Sequence, residues 1–151
     1  MIIGVVKETK EYENRVALSP EVVKLVRKKG FAVVVESGAG EKSFFSNQDY
    51  EASGATIGTA KEVLGADLVL KVNLPTLQEI ALMKEGAASI SYMYAYQHPE
   101  VVSAFNAKRI IGFYILVAHN FVMLSAPVQQ PTITNGLTFG TLPFIIRAYC
   151  L

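Results

Sequence analysis

MIIGVVKETKEYENRVALSP (residues 1–20), FAVVVESGAG (31–40) and ADLVLKVNLP (66–75) together decide the fold. Ile2–Val6 is an unbroken apolar run of strand length, the pattern of a parallel strand buried on both faces. Ser19-Pro20-Glu21 then opens a helix with an N-cap hydroxyl, a proline at the first helical position and an acid in the first turn. The residue that would complete a capping box is Val22, so no box forms. Val22, Val23, Leu25 and Val26 are expected as the inner face, and Gly30 as the stop. Phe31–Val35 is a second, β-branched strand ending in the turn Gly38-Ala39-Gly40. Asp67–Val72 is a third. Arg15 and Lys71 therefore fall just past the ends of parallel strands, at the sheet edge where open α/β proteins bind ligands.

Working outward, Gln48–Ser53 and Ala60–Leu64 read as short helices, and Gln78–Lys84 as a weak one. Ala87–Ser91 is a strand, Pro99–Ala107 a proline-opened helix, and Arg109–Ile115 starts a further strand. This alternation predicts an α/β fold: an open, mostly parallel sheet with helices on both faces, Rossmann- or flavodoxin-like.

The chain is 51% hydrophobic with a formal net charge of +1. No basic stripe interleaves with aromatics, so a nucleic-acid partner is not expected. Lys24, Arg27, Lys28 and Lys29 gather in the last turn of the first helix, where they complement its dipole. Cys150 is the single cysteine, which rules out an internal disulfide and suits a reducing compartment. Met1–Val6 is too short for a secretion signal and runs at once into Lys7 and Glu8. All 13 acidic residues lie at or before Glu100, and from Ile111 to Leu151 the one charged residue is Arg147. An ordinary soluble surface is about one quarter charged. Residues 1–110 are therefore expected to form one domain and 111–151 an apolar tail.

Several candidate chemistries follow. Gly38-Ala39-Gly40 follows a strand, but a dinucleotide fingerprint needs a third glycine where Ser43 stands, so a plain turn is expected. Lys7, Glu8, Lys10, Glu11 and Glu13 read mostly as a solvated loop. Arg15 differs, because Val16-Ala17-Leu18 carries the chain back into the core. Its guanidinium can grip a carboxylate ligand bidentately or form a structural ion pair. Lys71 ends a buried strand, either as a functional lysine or as a snorkelling edge residue. Tyr92, Tyr94, Tyr96 and His98 alternate after the fourth strand and can line a cleft or simply mark its end. His98 reads as a helix-start residue. No metal-ligand spacing and no nucleophile elbow is present.

Lys7-Glu8-Thr9, Glu13 through Pro20 (ENRVALSP), Val35 through Gly40 (VESGAG) and Asp67 through Val72 (DLVLKV) resemble the N-terminal domain shared by alanine dehydrogenases and the alpha part of proton-translocating NAD(P) transhydrogenases. The resemblance covers about residues 1–110. Alanine dehydrogenases carry Lys-Val-Lys-Glu-Pro at the third strand, whereas Lys71-Val72-Asn73-Leu74-Pro75 is similar to the transhydrogenase pattern Lys-Val-Asn-x-Pro. They also place a catalytic histidine in a Tyr-Leu-His context, and Tyr92-Met93-Tyr94 has tyrosine there. A phenol of pKa about 10 does not replace imidazole at neutral pH. Ala95 through Glu100 (AYQHPE) resembles the transhydrogenase run Pro-Ala-Gln-Asn-Pro-Glu with one slip. Both discriminators favour transhydrogenase.

The resemblance implies that Arg15 and Lys71 match carboxylate-binding residues of alanine dehydrogenase; Tyr94 and Gln97 are the candidates expected to line the cleft. It implies a parent that passes hydride between NAD(H) and NADP(H), coupled to proton translocation. In that parent NAD(H) sits mainly in a second, Rossmann-type subdomain. No G-x-G-x-x-G occurs in the 151 residues. No catalytic, cofactor-binding or metal-binding residue is therefore assigned here, and no cofactor or activity is expected of this piece alone. Expected partners are a second copy in a homodimer and the parent's NADP(H)-binding and membrane domains. The expected location is the cytoplasmic or matrix side of the inner membrane. The competing expectations are an alanine dehydrogenase-like enzyme and a non-catalytic oligomerisation or binding module. The tail is expected to be non-native, from a frameshift, a retained intron or a truncated gene. Membrane insertion of the uncharged run Ile110–Val128 is the weaker alternative, opposed by His119, Asn120 and Pro127. A native, partner-binding extension is the third.

Overall fold

A computed structural model describes residues 1–92, 97–118 and 121–125, with side chains described up to residue 113. Seven strands form one sheet: β1 (Ile2–Val5), β2 (Ala32–Glu36), β3 (Thr56–Gly58), β4 (Leu68–Leu70), β5 (Ala88–Ser91), β6 (Ile111–Ala118) and β7 (Phe121–Ser125), in the order β3-β2-β1-β4-β5-β6-β7. The first six are parallel, and β7 runs antiparallel beside β6. Helices α1 (Pro20–Lys28), α2 (Asn47–Ala52), α3 (Ala60–Leu64), α4 (Leu77–Leu82) and α5 (Pro99–Ala107) connect the parallel strands.

Two cores lie on opposite faces of the sheet. Val23 of α1 and Tyr50 of α2 pack with Val5, Val33 and Val35 on one face. Val63 and Leu64 of α3, Ile80 of α4 and Val101 and Phe105 of α5 pack with Val69 on the other. Helices on both faces of an open parallel sheet are the expected architecture. Gly4 lets the second layer close: a Cβ there would fall on the Val63 carbonyl of α3.

The differences from expectation have local causes. The edge strand β3 is three residues long and ends on Gly58, too short for a visible pattern. Its presence makes the strand before Lys71 the fourth rather than the third. Only Val23 of α1 is fully buried, with Val26 packed beside it, while Val22 and Leu25 are 39% and 60% exposed. Positions 23 and 26 share one stripe of the helix, and 22 and 25 lie on the next. Capping boxes at Ser46/Asp49, Thr59/Glu62 and Thr76/Glu79 start α2, α3 and α4. They explain why such short helices hold in place.

The chain passes from β1 to β2 and β3 on one side, then returns to β4 on the other side of β1. The loops leaving β1 and β4 therefore diverge at the sheet's switch point, which opens a crevice.

Candidate functional site

Glu8, three residues past β1, builds the crevice. Its Oε1 accepts from the backbone N–H groups of Val72 (2.6 Å) and Asn73 (3.3 Å), and its Oε2 from Asn73 Nδ2 (3.0 Å). One buried carboxylate thus ties the β1 loop to the β4 loop. Asn73 Nδ2 also donates to Glu13 Oε2 at 3.0 Å, bridging the two acids. Glu8 and Glu13 are 4% and 8% exposed, so the expectation of a mostly solvated charge run is wrong at both. Each of their oxygens finds a donor, which burial demands.

Glu13 in turn grips Arg15. Nε donates to Oε1 at 2.8 Å and Nη2 to Oε2 at 2.7 Å, a bidentate pair, and the Arg15 backbone N–H adds a third bond to Oε1 at 3.1 Å. The Arg15 hydrogen bonds, joined by that of Asn73, hold the Glu13 carboxyl down at about 2, against the opposing pull of burial. The same hydrogen bonding raises Arg15 above its ordinary value. The Arg15 side chain is 65% exposed, and its Cζ stands 5.8 Å from the Tyr92 ring centroid. Stacking on an aromatic face suits a guanidinium.

Lys71 follows β4 directly, and its backbone N–H donates to the Ile90 carbonyl of β5. Its side chain is 3% exposed, and Nζ meets Glu79 Oε1 at 2.5 Å. It is a buried, paired lysine and not a snorkelling one. Glu79 has a second role as the acid of the α4 capping box: its Oε2 accepts from the Thr76 N–H at 2.7 Å.

Arg15 and Lys71 line one cleft of about 310 Å³, with Ala17, Leu70 and Ile90 as its apolar lining and Tyr92 at its side. A second hollow of about 380 Å³ shares Lys71 and Tyr92 and reaches Glu8, Asn73, Thr76 and His98. The fold therefore brings the two expected cations to one cleft. Tyr94 lies outside the described residues, and Gln97 is exposed just before α5. His98 is the N-cap residue of α5, without a side-chain cap bond, and its Nδ1 lies 3.2 Å from Glu100 Oε1. The acids Glu8, Glu13 and Glu79 were missed by sequence reasoning. For Glu79 the Thr76-Leu-Gln-Glu79 spacing was a usable signal. For Glu8 and Glu13 none separates them from Glu11 nearby.

The glycine turn after β2 is filled by its own chain. Gly38 has φ +73°, and its N–H donates to Asn47 Oδ1 at 2.9 Å. A Cβ on Gly40 would come within 2.6 Å of the Tyr50 ring and 2.8 Å of Phe45. Among the described residues no group of His, Cys, Asp or Glu is placed to hold a metal, and no helix is long and apolar enough to cross a membrane.

The profile of the alanine dehydrogenase/PNT N-terminal domain matches residues 4–118. The NAD(P) transhydrogenase subunit alpha of Haemophilus influenzae is 46% identical over 110 residues, 73% of this chain and 22% of that protein. The alanine dehydrogenase of Bacillus subtilis is 40% identical over 111 residues, 73% of this chain and 29% of that one. The crystal structure of the transhydrogenase from Sinorhizobium meliloti superposes with a TM-score of 0.73 at 38% identity, covering 79% of this chain and 37% of that one. The chain thus spans between 22% and 37% of the length of these relatives.

Proposed function

The chain belongs to the alanine dehydrogenase/PNT N-terminal domain family, and from that membership we propose that it is the N-terminal part of an NAD(P) transhydrogenase alpha subunit. The parent reaction is hydride transfer between NAD(H) and NADP(H) coupled to proton translocation. In this proposal Arg15 and Lys71 are an anion-binding pair, and Tyr94 and Gln97 line the same cleft. NAD(H) binds chiefly in a second subdomain, so these 151 residues do not transfer hydride by themselves. The partners are a second copy and the NADP(H)-binding and membrane domains, on the cytoplasmic or matrix side of the membrane.

The observation that carries this reading is Asn73. Its neutral amide spends both hydrogens on Glu8 and Glu13, each at 3.0 Å. The alanine dehydrogenase pattern puts a lysine at this place and a histidine where Tyr94 stands. The likeness to Bacillus subtilis alanine dehydrogenase keeps that second reading open to test. NADH-dependent reduction of an NADP analogue is measured with the purified chain, with and without an added NADP(H)-binding domain. NADH oxidation with pyruvate and ammonia is measured beside it. The proposal expects no turnover in either. Turnover in the first refutes inactivity of the piece, and turnover in the second refutes the transhydrogenase reading.

The division at residue 110 is part of the proposal, supported by Arg147 standing as the single charge from Ile111 to Leu151. The gene is read across codon 110 in three frames. Resumption of the family pattern in another frame is the expected result, and its absence in all three makes the tail native.

A further inference from the structure

Both cations of the cleft already hold a carboxylate of their own chain. Arg15 holds Glu13 bidentately, and Lys71 holds Glu79 at 2.5 Å. Each of those carboxylates has a second, independent anchor. Glu13 Oε2 also accepts from Asn73 Nδ2, and Glu79 Oε2 from the Thr76 N–H. Glu8, which lines the adjoining hollow together with Lys10, adds no free positive charge to the pair. The charges of Arg15 and Lys71 are therefore already paired within the chain.

We propose that Glu13 and Glu79 are affinity- and specificity-determining residues of the Arg15–Lys71 site, resident carboxylates that compete with an incoming anion for the charge of the two cations. The inference rests on reading Arg15 and Lys71 as an anion-binding pair. Exchanging one carboxylate partner for another yields little net pairing, while removing one partner leaves a cation that seeks a new one. The second anchors hold both acids in place beside the cations, Glu13 through Asn73 and Glu79 through its capping box, while the remaining N–H donors of Arg15 and Lys71 are left for a ligand. The cleft volume of about 310 Å³ and its lining of Ala17, Leu70 and Ile90 suit a small organic carboxylate with a short apolar body. The resident acids keep such ligands weak in the unmodified chain, although both cations are present.

The test is a titration of the full chain with pyruvate, followed by calorimetry and by amide shifts, in the unmodified protein and in Glu13→Gln and Glu79→Gln. Glutamine at position 79 can still cap α4, because a capping box accepts Glu or Gln. That variant keeps the test valid if Glu13→Gln fails to fold, which circular dichroism checks. The expected result is pyruvate affinity raised about ten-fold or more in each variant, the scale of one charge pair near a protein surface, and lost again when Arg15→Gln is added. Equal binding in the unmodified chain and in the variants overturns the inference and leaves the anion-pair reading standing. Weaker binding in the variants makes Glu13 and Glu79 positioning residues, and also overturns it. No binding in any folded variant refutes the anion-pair reading itself, and the inference with it.

Discussion

Two junctions at the same edge of the sheet invite the same expectation and meet opposite fates. The turn after β2 carries the glycines, yet it is filled: Asn47 occupies the Gly38 N–H, and the Tyr50 ring and Phe45 stand where a Gly40 side chain would go. The loops after β1 (residues 6–19) and after β4 (residues 71–76) carry no glycine, yet they open a cleft between Arg15 and Lys71. The strand order explains the contrast. β2 has neighbours reached by connections of one direction, whereas β1 and β4 flank the point where direction reverses. Space at a sheet edge comes from topology, and a glycine after a strand can serve packing alone.

The largest effect is expected from a side chain placed in the turn. Gly40→Val forces its Cβ against the Tyr50 ring in the core and against Phe45, which packs on that core. A loss of about 3 kcal/mol in urea denaturation is expected, the upper range for overpacking. A variant as stable as the parent shows that the turn has room for a ligand.

Breaking the crevice from the other side should cost slightly less. Glu8→Ala removes the acceptor for the Val72 and Asn73 N–H groups and leaves them without their carboxylate. A loss of about 2 to 3 kcal/mol is expected, and the amide signals of Lys71–Asn73 should broaden or shift while those of Gly38–Gly40 stay. Movement of both sets together shows the two junctions to be one structural unit.

Tyr50 sharpens the packing argument. Its hydroxyl donates to the Leu18 carbonyl at 2.8 Å, and burial pushes its pKa up to about 12. Tyr50→Phe keeps the ring against Gly40 and removes that bond, so a loss of about 1 kcal/mol is expected.

The smallest effect is the pH dependence of the crevice. Glu13 titrates near 2 in the folded chain, below the ordinary value of 4.5. A depressed folded value contributes stability that is full above pH 4.5 and is lost as pH falls toward 2. Between those limits the unmodified chain should lose more stability than Glu13→Gln, measured by urea midpoints at pH 5 and pH 3. Parallel losses in the two proteins contradict the Arg15–Glu13 pairing.

Much of the fold was legible because β1, β2 and β4 are apolar runs, β5 alternates Ala and Ile with Ser after Gly86, and Ser19-Pro20 and Pro99 mark helix starts. β3 was not, since three residues at an edge present no pattern. Arg15 and Lys71 stood out in the sequence as charges adjoining apolar residues. Glu8 and Glu13 did not, because their burial depends on Asn73, some sixty residues away in the chain. A charge run reads as solvated until the fold supplies its donors.

The claim that the switch point and not the glycine turn receives the ligand is tested most directly by mapping amide shifts of the Glu13→Gln chain during a pyruvate titration. Saturable shifts are expected at Arg15, Lys71, Val72 and Tyr92, with Gly38, Ala39 and Gly40 unmoved. Shifts centred on Gly38–Gly40, or none at Arg15 and Lys71, would contradict it.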